Sequence, residues 1–250
     1  MSDLSGRVIV VTGGGQGLGR AYAQRIVADG GTVVIADLNE EKGASVAAEL
    51  GKKSARFLRL DVGDPTAVAD FAEVIGREYG TVHGLVNNAA IFSTIQMRPF
   101  WEIPVHEWDQ LLAVNLRGPW LVTSALLPEL RSARQASVVN VGSDAVWLGR
   151  AGYLHYIASK AGVAGMTHAM AHELGDFGIR VNSISPGPTY TEVPRGTVSP
   201  GQKTAMQAAQ ALHRDAEPAD MVGVVAFLLS DDSRWVTGQT LSVNGGVLHR

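Results

Sequence analysis

The sequence predicts an α/β fold, a parallel sheet with helices on both faces, and three observations predict it. Short apolar runs of strand length alternate with longer amphipathic stretches almost to the end of the chain. A length of 250 residues with 46% hydrophobic content can bury a sizeable core as a single domain over 1–250. A glycine-rich turn, Thr12 to Gly19 (TGGGQGLG), falls directly between the first apolar run and the first helical pattern.

The strand-like runs are Arg7 to Val11, Thr32 to Ala36, Ala55 to Leu60, Val82 to Asn87, Ala136 to Val141, Ile179 to Ser185 and Gln239 to Val243. Helical stretches lie near 18–29, 40–50, 65–79, 105–131, 155–176 and 218–230. Such alternation means parallel strands joined by helical crossovers. The longest segment outside this rhythm, Pro186 to Arg214, is rich in Pro, Gly, Thr and Gln and reads as a binding loop or lid, over 187–214.

Composition excludes several function classes. No apolar run approaches the ~20 residues of a membrane span, and Val8 to Val11 is too short for a signal peptide, so a cytoplasmic location is expected. The absence of Cys rules out disulfides and thiolate metal sites. A net charge of -3, with a pI near 6.2 and no block of Lys or Arg, argues against nucleic acid and anionic membranes and for a small-molecule partner.

In the first turn, glycines permit a tight bend and let backbone N–H groups approach a pyrophosphate, whose charge a helix N-terminus favours. Asp37 ends the second strand, eighteen residues beyond Gly19, where its carboxylate can accept hydrogen bonds from an adenosine ribose. At an effective dielectric near 20, a charge pair about 4 Å apart is worth roughly 4 kcal/mol, so a 2′-phosphate beside Asp37 is disfavoured. Neither Gln16 nor Leu38 supplies a cation for one, and NAD is the expected cofactor. Asn39 is better placed than Asp37 to cap the helix that begins near Glu40.

Tyr156 and Lys160 stand four apart in a helical pattern, so both project from one face with an ammonium near a phenol. Bringing a Tyr pKa from about 10 toward ~7 takes roughly 4 kcal/mol, much of which a neighbouring Lys charge in a half-dry cleft can supply. Ser143 lies thirteen residues upstream, just past the fifth apolar run, which suits a hydroxyl at the carboxyl end of a strand.

With these residues in hand, the chain resembles the short-chain dehydrogenase/reductase family from Arg7 to Gly246. Thr12, Gly13, Gly17 and Gly19 fit its glycine-rich turn, with Gln16 and Leu18 between them; Leu38 follows Asp37; Asp61 and Val62 fit its adenine contact; Asn87 to Ala90, with Asn88 and Ala89 at the cofactor, fits its Asn-Asn-Ala-Gly. Asn115, Ser143, Tyr156 and Lys160 match its four catalytic residues, while Pro186, Gly187, Thr189 and Thr191 match its nicotinamide-holding segment. Two positions depart from the pattern: Ala90 stands for the usual Gly, and Asn244 for the Asp common in Val-Asp-Gly-Gly. Both are expected to leave the chemistry untouched.

The resemblance implies a Rossmann-type doubly wound sheet of seven parallel strands in the order 3-2-1-4-5-6-7. It implies Tyr156 as the acid/base, Lys160 as the group that lowers the Tyr156 pKa and bonds the nicotinamide ribose, Ser143 as donor to the substrate oxygen, and Asn115 as holder of a relay water. Ile91, Trp147 and Tyr153 are expected in the substrate pocket. The chain looks most like NAD-dependent dehydrogenases of cyclic or aromatic secondary alcohols, such as phenylethanol dehydrogenase and pyridoxal 4-dehydrogenase. A 3-oxoacyl-carrier-protein reductase, a polyol or sugar dehydrogenase, and a catalytically silent NAD-binding regulator are the rival readings. A homotetramer is expected, with His168, Ala171 and Trp235 among its contacts. His168, His172 and Glu173 have no evident third partner, so no metal site is expected.

Overall fold

A computed structural model describes residues 2–194 and 200–249. Val198, which the sequence places in the lid, lies outside the described residues. Seven parallel strands form one sheet in the order β3-β2-β1-β4-β5-β6-β7. They are β1 (Val8–Thr12), β2 (Thr32–Asp37), β3 (Ala55–Arg59), β4 (Gly84–Asn87), β5 (Ala136–Val141), β6 (Ile179–Pro186) and β7 (Thr240–Val243). The helices are α1 (Gly17–Ala28), α2 (Glu40–Leu50), α3 (Pro65–Glu78), α4 (Val105–Leu112), α5 (Gly118–Ala125), α6 (Leu127–Ser132), α7 (Leu154–Leu174), α8 (Pro200–Ala209) and α9 (Pro218–Leu229).

The two-residue period of a strand divides the core between the sheet faces. Ile9, Val11, Val33, Ile35, Val139 and Val141 pack on one side with Tyr22 and Ile26 of α1 and Met221 and Val225 of α9. Their neighbours Val10, Val34 and Val138 pack on the other with Phe71 and Ile75 of α3, Val122 of α5 and Leu174 of α7. Burial on both faces explains why these strands are apolar throughout. Helix starts follow local chemistry: the Asn39 side chain accepts from Lys42 N–H at 2.9 Å, and Asp64 accepts from Thr66 N–H at 2.9 Å ahead of Pro65.

Two segments differ from the sequence expectation. The continuous helix over 105–131 is divided into α4, a π-helical turn Ala113–Arg117, α5 and α6, with Pro119 and Pro128 in the first turns of the last two. The backbone stays helical from Val105 through the π turn to Ala125, with Pro119 just past that turn, and breaks only at Leu126, after which Pro128, lacking an N–H, sits in the first turn of α6. The segment 186–214, read as loop, contains α8: Pro and Gly open it, and the run from Gln202 to Ala209 is made of good helix formers. Among the described residues, no helix is long and apolar enough to cross a membrane.

Candidate active site

In a doubly wound sheet, ligands sit at the carboxyl ends of strands where the winding reverses, here between β1 and β4. Thr12 Oγ1 accepts from the N–H groups of Asn88 (3.0 Å) and Ala89 (3.1 Å), and Asn88 Nδ2 donates to Thr12 O and Gly13 O, both at 3.0 Å. These bonds hold the glycine turn against the end of β4. Gly13 has φ +64°, and a Cβ there would lie 2.8 Å from Ala89 Cα; a Cβ on Gly19 would lie 2.0 Å from Gly13 O. No side chain fits at either position.

A cleft of about 820 Å³ runs from this turn across the sheet edge. Gln16, Asp37, Leu38, Asp61 and Val62 line one end of it, with Gly13, Gly17, Leu18, Asn88 and Ala89 beside them. Ser143, Tyr156 and Lys160 line the other, followed by Pro186, Gly187, Thr189 and Thr191. Gly19 does not line the cleft; it lets the turn close beneath it. Asp37 Oδ2 accepts from Gly15 N–H and Oδ1 from Asn39 N–H, both at 2.8 Å, so the carboxylate is held rigidly while each oxygen keeps a lone pair for a hydroxyl.

The residues fit a dinucleotide. The Gly17 N–H at the start of α1 donates to Glu192 Oε1 at 2.8 Å, so the chain already seats an anion of its own at the helix N-terminus. Sequence reasoning missed Glu192, whose partner is 175 residues away. It also missed a cation: Gln16 and Leu38 supply none themselves, but Lys42 Nζ donates to Gln16 Oε1. Lys42 lies in the first turn of α2, and only the fold of β2 and α2 brings it to Gln16.

At the other end, Tyr156 lies in the first turn of α7 and is 7% exposed. Its ring packs against Phe92 (centroids 4.8 Å apart) and Tyr153 (5.6 Å), within a small apolar cluster that includes Ile95 and Leu111. Lys160 Nζ is 5.9 Å from the centre of that ring and donates to Val141 O at 2.7 Å. Burial lowers the Lys160 pKa to about 8, because the ammonium has lost most of its water. Ser143 ends the β5 excursion in extended backbone, and its Oγ accepts from Ala145 N–H at 3.3 Å.

Asn115 is fully buried in the π-helical turn. Its Oδ1 accepts from Ile91 N–H at 2.7 Å and its Nδ2 donates to Ile91 O at 3.0 Å. The side chain thus holds the loop that follows Asn88. Ile91 and Tyr153 line the cleft; Trp147 does not. It ends the 3-10 turn Asp144–Val146 half exposed, and Leu148, about a third of a turn on, lines the cleft instead. His155 faces away from the cleft, buried against Glu107 Oε1 at 3.1 Å. Among the described residues, no cluster of His, Cys, Asp and Glu could hold a metal ion.

A doubly wound sheet with a glycine turn, an acidic residue at the end of its second strand and a Ser, Tyr and Lys trio on one cleft is the framework of a nicotinamide-dependent oxidoreductase. The family profile described as enoyl-(acyl carrier protein) reductase matches residues 13–248. The 3-oxoacyl-(acyl-carrier-protein) reductase FabG of Vibrio cholerae is 34% identical over 98% of both chains. Cyclopentanol dehydrogenase of Comamonas testosteroni is likewise 34% identical over 98% of both. A crystal structure described as short-chain dehydrogenase/reductase SDR:Glucose/ribitol dehydrogenase, from Brucella melitensis, superposes with a TM-score of 0.92 at 29% identity, covering 100% of this chain and 99% of that one. The chain belongs to the short-chain dehydrogenase/reductase family.

Proposed function

We propose that the protein is an NAD-dependent oxidoreductase that moves hydride between nicotinamide and a secondary alcohol or ketone, with a cyclic or aromatic compound as substrate. The observation that carries the reading is that Tyr156, Lys160 and Ser143 line the same cleft as the Gly13 turn and Asp37. When bound, a nicotinamide would accept hydride from the alcohol in its oxidised form or give hydride to the ketone in its reduced form, as the cofactor's own chemistry. The chain's residues do the rest. Tyr156 takes the proton of the alcohol, or returns one to the ketone, at its phenolic oxygen. Lys160 favours the phenolate by its charge. Ser143 donates to the substrate oxygen where negative charge develops. Asn115 braces the Ile91 backbone beside them.

Asp37 supports NAD over NADP, since a 2′-phosphate there meets a carboxylate that two backbone bonds hold in place. Phe92, Leu148 and Tyr153 give the substrate end of the cleft an apolar wall, which supports an uncharged ring over a polyol or sugar. The Comamonas relative's name points the same way. The segment 187–214 acts as the lid, contributing Thr189, Thr191, Val193 and Met206 to the cleft. The enzyme is cytoplasmic in this reading, and works as a homotetramer. Trp120, 51% exposed, and Trp235, 97% exposed, support subunit contacts along α5 and before β7. Ala171 is buried within its own subunit and is not available for one.

A second reading, reduction of a 3-oxoacyl group on a carrier protein, is favoured by the Vibrio relative and by the description of the matching profile. One experiment separates these readings from each other and from a silent NAD-binding protein. Aryl carbinols, cyclohexanols, cyclopentanol and polyols are scored by NADH absorbance with NAD and then NADP, beside an acetoacetyl thioester scored with NADH and NADPH. Turnover of cyclic or aryl alcohols with NAD is expected. Preference for the thioester with NADPH would establish the second reading, and no turnover of any kind would establish the regulator. Sedimentation at one subunit's mass, 26.4 kDa, would contradict the tetramer.

A further inference from the structure

We propose that Asp144 and Asn244 form a matched pair that positions the Ser143 hydroxyl against the Pro186–Gly187 turn, which makes Asp144 a positioning residue for the reaction. The inference rests on the function proposed above. Asp144 opens the short turn that Ser143 caps, and it is 1% exposed. Its Oδ1 accepts from Ser185 Oγ at 2.6 Å and from Ser242 Oγ at 3.1 Å; its Oδ2 accepts from Asn244 Nδ2 at 2.5 Å. The residue directly after Ser143 is thereby tied to the ends of β6 and β7 and to the turn that follows β7.

The polarity of the Asn244 amide is fixed from the other side. Its Oδ1 accepts from Gly246 N–H at 2.8 Å, so its nitrogen must face Asp144, and that nitrogen also donates to Leu248 O at 3.0 Å. An aspartate at 244 would set an oxygen against Asp144 Oδ2, with two acceptors and no proton between them. The Asn that stands in place of the family's common Asp is therefore the residue that a carboxylate at 144 requires. In this proposal its effect reaches the chemistry, where the sequence reading expects the departure to leave it untouched.

The pair acts on both sides of the reacting centre. On one side is Ser143, whose oxygen takes the Ala145 N–H and whose own proton remains for a substrate oxygen. On the other is Gly187, which donates its N–H to Val243 O at 2.9 Å and packs so closely on Asn244 that a Cβ would lie 2.8 Å from Asn244 Cα. Between them, Gly142 N–H donates to Ile184 O at 2.7 Å. Val247, three residues beyond Asn244, lines the cleft. A shift of this network moves the hydroxyl, the turn expected to hold the nicotinamide, and the C-terminal wall together, whereas the Gly13 turn and Asp37 share none of its bonds.

The test compares wild type with Asp144→Asn, Asn244→Asp and the double exchange, with Tyr156→Phe alongside. The readouts are kcat and KM for the alcohol that wild type oxidises fastest with NAD, NADH Kd by fluorescence, and melting temperature. Each single exchange is expected to lower kcat about 10- to 100-fold with NADH Kd within about threefold, because orientation is lost and the adenosine end is not. The double exchange restores an acceptor facing an amide and is expected to return kcat to within about fivefold of wild type. Single exchanges with kcat near wild type would overturn the proposal, as would a double exchange no better than the worse single. If a single exchange does not fold, Ser242→Ala removes one donor alone; a fall in kcat of about threefold supports the proposal, and an unchanged kcat overturns it. Should wild type turn over no substrate, the proposed function fails. The pair is then judged by crystal structures: loss of the Ser143–Ala145 bond in Asp144→Asn and its return in the double exchange support it, and a bond intact in all variants overturns it.

Discussion

Replacing Lys160 by Met should make the protein more stable and nearly inactive. The buried ammonium has a pKa of about 8 against an ordinary 10.5, and at ~1.36 kcal/mol per unit the difference amounts to roughly 3 kcal/mol against the charged form. Met removes that cost but leaves Val141 O without its 2.7 Å partner, a loss of about 1–2 kcal/mol. A net gain of about 1–2 kcal/mol remains near pH 7, a rise of about 2–6 °C in Tm for a chain of this size. The pH dependence follows from proton binding. Between about pH 8 and 10.5 the unfolded chain still holds the Lys160 proton while the folded one has released it, so wild-type stability rises with pH relative to the variant. The gap is therefore full below pH 8, vanishes between about pH 9 and 10, and is reversed at pH 10.5, where the neutral Lys160 amine still donates to Val141 O and Met cannot. Thermal melts of both proteins across that range measure it, and turnover assays at pH 7 should show a loss of at least about 100-fold. A variant less stable at pH 7, or a gap that widens with pH, would refute the reasoning.

Two further substitutions test the ribose end of the cleft. Asp37→Ser should raise kcat/KM with NADP by about 10-fold or more, since it removes the opposing carboxylate and leaves Lys42 beside Gln16 to meet a phosphate; Asp37→Ser combined with Lys42→Ala should lose that gain. Glu192→Gln should lower the NAD Kd about two- to fivefold at low salt, because a carboxylate at the start of α1 opposes the pyrophosphate, and the difference should shrink at high salt. Titrations followed by fluorescence at two ionic strengths measure it, and an unchanged or weaker affinity at low salt contradicts the competition.

The features legible in the sequence were those that act through short-range pattern. Apolar runs located all seven strands because both faces of the sheet are covered, and Asn39 announced the start of α2 because a cap needs only three residues of context. Tyr156 and Lys160 were legible because a helix places residues four apart on one face. The features that were not legible depend on contacts made across the fold. Lys42 reaches Gln16 over 26 positions, Glu192 reaches Gly17 over 175, and Asn244 reaches Asp144 over 100, and no local spacing encodes such meetings. One signal for the last was present: an acid next to Ser143 and an amide where the family commonly has an acid. The break of the 105–131 helix before α6 was also visible in Pro128, although the apolar spacing runs through it.

The central claim is that one cleft joins a dinucleotide seat to the Tyr156 hydroxyl, and Tyr156→Phe tests it most directly when turnover and NADH binding are measured on the same preparation. The account predicts a loss of turnover of about 100-fold or more, with NADH Kd within threefold of wild type. Turnover preserved in that variant would contradict it.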